Sequence, residues 1–120
     1  MKAVICTQYG PPEDLQLKEV EKPAPKDNEI LIKVHAATVN RTDCGILRGK
    51  PFIIRFFTGL FKPYSIPGTE FAGIIEAAGK NVSSFKVGDK VFGFDDSGVG
   101  AHAEHMTIGE DKAVTTMPKN

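Results

Sequence analysis

Apolar residues in this chain fall mostly at alternate positions, in short runs separated by glycine and proline. A period of two over runs of this length predicts half-buried strands. Lys2 to Gln8 and Leu15 to Glu21 are two such runs, and Gly10-Pro11-Pro12 between them predicts a hairpin or tight connection. Pro23-Ala24-Pro25 predicts an extended, exposed linker, because proline pushes the residue before it out of the helical region. Asn28 to Val39 is the strongest strand, with Ile30, Ile32 and Val34 on one face and Leu31, Lys33 and His35 on the other.

The pattern changes after Asn40. Asn40 or Thr42 can cap a short helix running to about Leu47, with Gly49 as its stop. The segment from Phe52 to Phe61, dense in large apolar residues, reads as a turn of helix or a loop. Phe71 to Ala78 and Lys90 to Phe94 predict two strands, with Gly88-Asp89 suited to a two-residue hairpin turn between them. A further strand is expected from about Ala101 to Ile108, and one more from Lys112 to Thr116. Many short strands at regular spacing predict a mostly β barrel or sandwich.

At 120 residues the chain is one domain by size, long enough to bury a core without staples. Fifteen basic residues balance fifteen acidic ones without a basic run, which argues against nucleic acid as a partner. Cys6 and Cys44 are far apart and form no Cys-x-x-Cys pair, so they predict neither a disulfide framework nor a zinc lobe. There is no run of about 18 apolar residues to span a membrane. Met1 to Cys6 is too short, and too soon followed by Gly-Pro-Pro, for a signal peptide. A cytoplasmic protein without a membrane partner is expected.

The most specific stretch is Pro67-Gly68-Thr69-Glu70-Phe71-Ala72-Gly73, followed by Gly79 and then Lys86-Val87-Gly88-Asp89-Lys90-Val91. Together with Met1-Lys2-Ala3-Val4, Tyr9-Gly10-Pro11-Pro12, Val34 to Asn40 and Ala101-His102-Ala103-Glu104-His105, it resembles the N-terminal, GroES-like domain of the medium-chain dehydrogenases and reductases. The resemblance covers nearly the whole chain. It implies a mostly β, GroES-like partly open barrel with one or two short helices near residues 42 to 60. It also implies that residues 1–120 are the substrate-side half of a larger enzyme, whose nucleotide-binding domain is absent from this sequence.

In the zinc members of that superfamily, a Cys opening a Cys-x-x-Asp segment and the His of a Gly-His-Glu segment hold the catalytic metal. This chain carries Asn40-Arg41-Thr42-Asp43 and Gly68-Thr69-Glu70 at the matching places, and no cluster of structural cysteines. An amide and a hydroxyl are poor zinc ligands, so no metal is expected. His102 and His105, spaced as in a terminal strand, would point to opposite faces. The resemblance therefore favours the zinc-independent quinone oxidoreductase branch. On that likeness Asn40 contacts the nicotinamide or the substrate oxygen, Asp43 orients neighbouring donors, and Thr42 offers a hydroxyl to substrate or cofactor. Arg41 can meet a cofactor phosphate. Asn40 and Asp43 also read simply as helix caps. Glu70 reads as the structural partner of a backbone amide or an arginine, because a carboxylate near a core must be paired. Phe52, Phe56, Phe57, Phe61 and Tyr64 read as core or loop packing, or else as the wall of a substrate pocket or a surface that covers the absent partner domain.

The implied activity is reduction of a quinone, enone or aldehyde by hydride from NADPH or NADH, in a full-length protein that forms a homodimer. No Gly-x-Gly-x-x-Gly follows a strand here, so the isolated chain is expected to be inactive. The competing readings are a GroES-like co-chaperonin and a non-enzymatic interaction module. The Asn-x-x-Asp and Pro-Gly-x-Glu-x-Ala-Gly segments suit the co-chaperonin poorly, and the interaction module predicts a self-associating apolar patch.

Overall fold

The structure is a computed structural model that describes residues 1–48, 66–95 and 100–118. The Phe52 to Tyr64 segment, expected as a turn of helix or a loop, and Gly49, expected as the helix stop, lie outside the described residues. Among the described residues seven strands and one α-helix follow one another: β1 (Lys2–Ile5), β2 (Gln16–Glu19), β3 (Glu29–Ala37), α1 (Arg41–Arg48), β4 (Glu70–Ala78), β5 (Lys90–Phe94), β6 (His105–Gly109) and β7 (Ala113–Thr116). A 3₁₀ turn at Pro12–Asp14 lies in the connection between β1 and β2, where Pro12 can occupy the first position at no cost in hydrogen bonding.

All pairings are antiparallel. β1 and β2 form a ribbon, and the main sheet runs in the order β6-β3-β4-β5-β7. The ribbon joins the sheet through the residues just before β6. Val4 N–H donates to the His102 carbonyl at 3.0 Å, Glu104 N–H donates to the Lys2 carbonyl at 3.0 Å, and Ala3 bridges Ala103. This seam curls the strands into the partly open, mostly β barrel expected from the sequence.

Among the described residues a core cluster brings together Ile30 and Ile32 of β3, Phe71 and Ile75 of β4, Val91 of β5, Met106 and Ile108 of β6 and Ala101. Fully burying each of the larger aliphatic side chains contributes about 1.5–3 kcal/mol. Strand β4 alternates as a half-buried strand should: Phe71, Gly73 and Ile75 are buried while Ala72 and Ile74 are only partly so. β3 does not alternate in the expected way. Leu31, assigned to the outer face, is buried like Ile30 and Ile32, and the ladder with β4 shifts register at Leu31/Ile32, where β4 carries the extra residue Glu76, and again at Val34/Ala36. Gly73 lies beside the second shift, where a Cβ would stand 2.2 Å from the Lys33 carbonyl oxygen.

Two further elements differ from expectation. The tight turn before β5 has Val87-Gly88 at its centre, with Asp89 N–H bonded to the Lys86 carbonyl and Gly88 at φ 95°. It ends a longer connection over 79–89 rather than directly joining two strands. The strand expected from Ala101 begins only at His105, because Ala101 and His102 donate their N–H groups to Gly68 and Pro67.

Two exposed carboxylates hold the ends of this frame. Glu104 is kept below the usual carboxylate range, chiefly by the Lys2 backbone N–H, 2.5 Å from its Oε1. Glu76 is lowered chiefly by the Lys22 side chain, which bonds it at 2.5 Å, with His105 at 3.2 Å adding to the effect. A carboxyl whose folded pKa is depressed stabilises the fold above its unfolded value, here 4.5, and that contribution is lost as pH falls through the folded value. Acid unfolding of the double variant Glu76→Gln/Glu104→Gln should accordingly show a shallower fall in stability below pH 4.5 than the native chain. Superimposable acid profiles would remove these two groups from the account.

Candidate functional site

The site forms where β3 ends, α1 begins and β4 begins. Asn40 is the N-cap of α1 and Asp43 sits in its first turn. Their side chains cap one another's backbone: Asp43 N–H donates to Asn40 Oδ1 at 3.0 Å, and Asn40 N–H donates to Asp43 Oδ2 at 2.9 Å. This is the reciprocal arrangement of a capping box, with the carboxylate favourably placed at the positive end of the helix. The helix-cap reading of these two residues thus holds in full.

The cap also orients the Asn40 amide. Because Oδ1 must face the Asp43 N–H, the amide nitrogen is turned the other way. It donates to Thr69 Oγ1 at 3.1 Å and to Thr38 Oγ1 at 3.3 Å. Thr69 is wholly buried, and its hydroxyl passes the chain on by donating to Asp43 Oδ1 at 3.2 Å. Asp43 is 5% exposed, and the Asn40 N–H and Thr69 hydroxyl offset the cost of burying its carboxyl oxygens. The positions at which the resemblance puts two zinc ligands therefore do come together, joined by a hydrogen bond between an amide and a hydroxyl.

A second tier supports the first. The Thr38 hydroxyl donates to Glu70 Oε2 at 2.5 Å, so the partner of Glu70 is a threonine hydroxyl rather than the backbone amide or arginine expected from the sequence. His102 Nε2 lies 2.8 Å from the Thr38 carbonyl oxygen. A carbonyl can only accept, so that nitrogen carries a proton. His102 and His105 do diverge, but not as neighbours in one strand: His102 precedes β6 and turns to Thr38, while His105 reaches Glu76.

Gly68 makes the junction possible. Its φ is 108°, and a Cβ there would stand 2.6 Å from the His102 backbone nitrogen. Its carbonyl accepts from both Gly100 and Ala101. Arg41 and Thr42, assigned to cofactor and substrate, are exposed on the first turn of α1. Thr38, and the parts that Thr69 and His102 play in this relay, were not read from the sequence. Contacts spanning 29, 26 and 64 positions leave no local pattern to read.

Two hollows flank the network. One of about 670 Å³ is walled by Ala36, Ala37, Phe92 and Phe94, with Thr38 and Glu70 at its rim. The other, about 400 Å³, is lined by Val4, Leu15, Leu47, Asp43 and His102. Among the described residues no group of three or more His, Cys, Asp and Glu side chains is spaced to hold a metal ion, and no helix is long and apolar enough to cross a membrane.

Fold and site together define a GroES-like barrel with an amide-centred polar cluster at a helix cap. Residues 26–119 match the alcohol dehydrogenase GroES-like domain, and the chain belongs to that family. It is 41% identical over 116 residues to the quinone oxidoreductase of Sus scrofa, covering 92% of this chain and 32% of that protein. Against the quinone oxidoreductase of Homo sapiens it is 39% identical over 124 residues, covering 99% of this chain and 34% of that protein. Among solved structures, the quinone oxidoreductase from Coxiella burnetii matches with a TM-score of 0.85 and 30% identity, over 99% of this chain and 37% of the other. The Escherichia coli quinone oxidoreductase complexed with NADPH matches at 0.83 and 30% identity, over 98% of this chain and 33% of the other. The chain thus spans about a third of the length of these relatives.

Proposed function

We propose that residues 1–120 form the substrate-side domain of an NAD(P)H-dependent, zinc-independent oxidoreductase that reduces a quinone, enone or aldehyde. Its nucleotide-binding domain lies outside this sequence. The observation that carries the reading is the Asn40 amide. It stands where zinc relatives place a ligand, and its donors are aimed by the Asp43 N–H behind it and the buried Thr69 hydroxyl beside it. A carbonyl that accepts hydride develops negative charge on oxygen. A pre-oriented N–H donor stabilises that charge without having to reorganise during the reaction. NADPH or NADH, when bound, supplies the hydride.

In this reading Asn40 polarises the acceptor oxygen and borders the nicotinamide. Asp43 positions Asn40 and does not itself touch the substrate. Thr42 lends a hydroxyl to substrate or cofactor, and Arg41 meets a cofactor phosphate; the exposure of both is compatible with contacts made by a bound molecule. No zinc takes part, since an amide and a hydroxyl form a poor zinc site. The full-length protein is a cytoplasmic homodimer that acts on a small molecule, with no nucleic acid or membrane partner.

The test is to join the chain to a nucleotide-binding domain of the family and follow NAD(P)H absorbance with a quinone acceptor. The joined protein should oxidise NAD(P)H and the isolated 120 residues should not, because one wall of a cleft cannot hold reactive carbon and nicotinamide at attack distance. Robust turnover by the isolated chain would overturn this division of labour. Stoichiometric zinc after dialysis would sink the metal-free mechanism. A seven-membered ring by mass in solution would instead favour the co-chaperonin reading.

A further inference from the structure

An amide nitrogen has two hydrogens, and in Asn40 they face different surroundings. One points to Thr69 Oγ1, a fully buried oxygen that no incoming molecule can replace. The other points to Thr38 Oγ1, the hydroxyl of an exposed residue. Only this second hydrogen is directed where a substrate could reach it. If Asn40 polarises an acceptor oxygen, that oxygen must take the place now filled by Thr38 Oγ1.

The Thr38 hydroxyl is well held in that place. Its own proton goes to Glu70 Oε2, which leaves its lone pairs free for Asn40. Its backbone carbonyl is fixed by His102 Nε2 at 2.8 Å. The bond it accepts from Asn40 is nevertheless the longest in the cluster at 3.3 Å, beyond the usual range for N–H···O. A held but weakly bonded oxygen in the acceptor's seat is an internal stand-in for substrate. Turning the Thr38 side chain to another rotamer would vacate it.

We propose that Thr38 sets the acceptor affinity of this site by occupying the seat of the substrate oxygen, so that reduction requires the Asn40–Thr38 bond to be exchanged for an Asn40–substrate bond. This rests on the oxidoreductase reading above. Glu70 and His102 are positioning residues for Thr38, and the three form a gate that is closed in the free chain.

The experiment compares the native chain with Thr38→Ala and Thr38→Ser. Thr38 is exposed, so neither change disturbs the core. The side-chain amide of Asn40 is followed in ¹⁵N-labelled protein, with phenanthrenequinone as probe because it has no vinylic carbon for the exposed Cys44 thiol to attack. In Thr38→Ala one of the two Asn40 amide protons should lose its bonded shift and exchange with water about tenfold faster. The quinone should perturb it at about tenfold lower concentration than in the native chain. Thr38→Ser should behave as native. An unchanged amide in Thr38→Ala, or a freed amide that the quinone leaves undisturbed, would overturn the proposal. In the protein joined to a nucleotide-binding domain, Thr38→Ala should lower KM for the quinone about tenfold without lowering kcat. Turnover with an unaltered KM would defeat the Thr38 gate and leave the oxidoreductase reading intact. Absence of turnover in the native joined protein would defeat that reading itself.

Discussion

Gly68→Ala should cost about 3 kcal/mol of folding stability, combining left-handed backbone strain with overpacking against a fixed neighbour. Any L-residue at φ 108° is strained, and the added methyl would lie 2.6 Å from the His102 nitrogen and within 2.9 Å of its ring. Neither side can give way cheaply. The Gly68 carbonyl accepts from Gly100 at 3.1 Å and Ala101 at 3.2 Å, while the neighbouring Pro67 carbonyl accepts from His102 at 3.0 Å. Relief by moving His102 would break its 2.8 Å contact with Thr38 and draw the ring away from Asp43. The measurement is the midpoint of urea unfolding at unchanged slope. A loss within about 0.5 kcal/mol, the range of an ordinary surface substitution, would show that this junction is softer than described.

In the protein joined to its nucleotide-binding domain, Asn40→Ala should lower turnover by roughly 10- to 1000-fold, the range seen when one oxyanion donor is removed. Alanine also removes a cap, at about 1 kcal/mol of stability. Asn40→Ser separates the two roles. A serine oxygen can still accept the Asp43 N–H bonded at 3.0 Å in the native chain, but it cannot replace the amide nitrogen that donates to Thr69 and Thr38. Serine should therefore keep most of the stability and lose most of the turnover. Native turnover in Asn40→Ser would reduce Asn40 to a helix cap.

Local rules carried much of the fold. β4 and β5 keep the alternation read from Phe71 to Ala78 and Lys90 to Phe94, and they pair with each other across a regular antiparallel ladder. They failed where tertiary contacts interrupt the ladder. Leu31 is buried beside a register shift, and the backbone of Ala101 and His102 is drawn away to Gly68 and Pro67. The site divides along the same line. Asn40 and Asp43 were legible because a cap needs only residues three apart. The amide donor to Thr69, the hydroxyl donor to Glu70 and the imidazole contact to Thr38 were not legible, because nothing in their own neighbourhoods marks them as partners.

The capping box also bears on the order in which the site is assembled. Four consecutive residues suffice to close the Asn40–Asp43 pair, and a helical turn forms quickly once nucleated. The Thr69–Asp43 bond closes a loop of 26 positions and the His102–Thr38 bond one of 64. Loop-closure entropy grows with length, so these contacts wait for the sheet to bring β4 and the approach to β6 into place. The cap anchors the amide oxygen locally and Thr38 lies only two residues away, so it is the hydrogen aimed at Thr69 that needs β4 in place. Without β4 docked, the cap could still close but one amide hydrogen of Asn40 would lack its Thr69 acceptor.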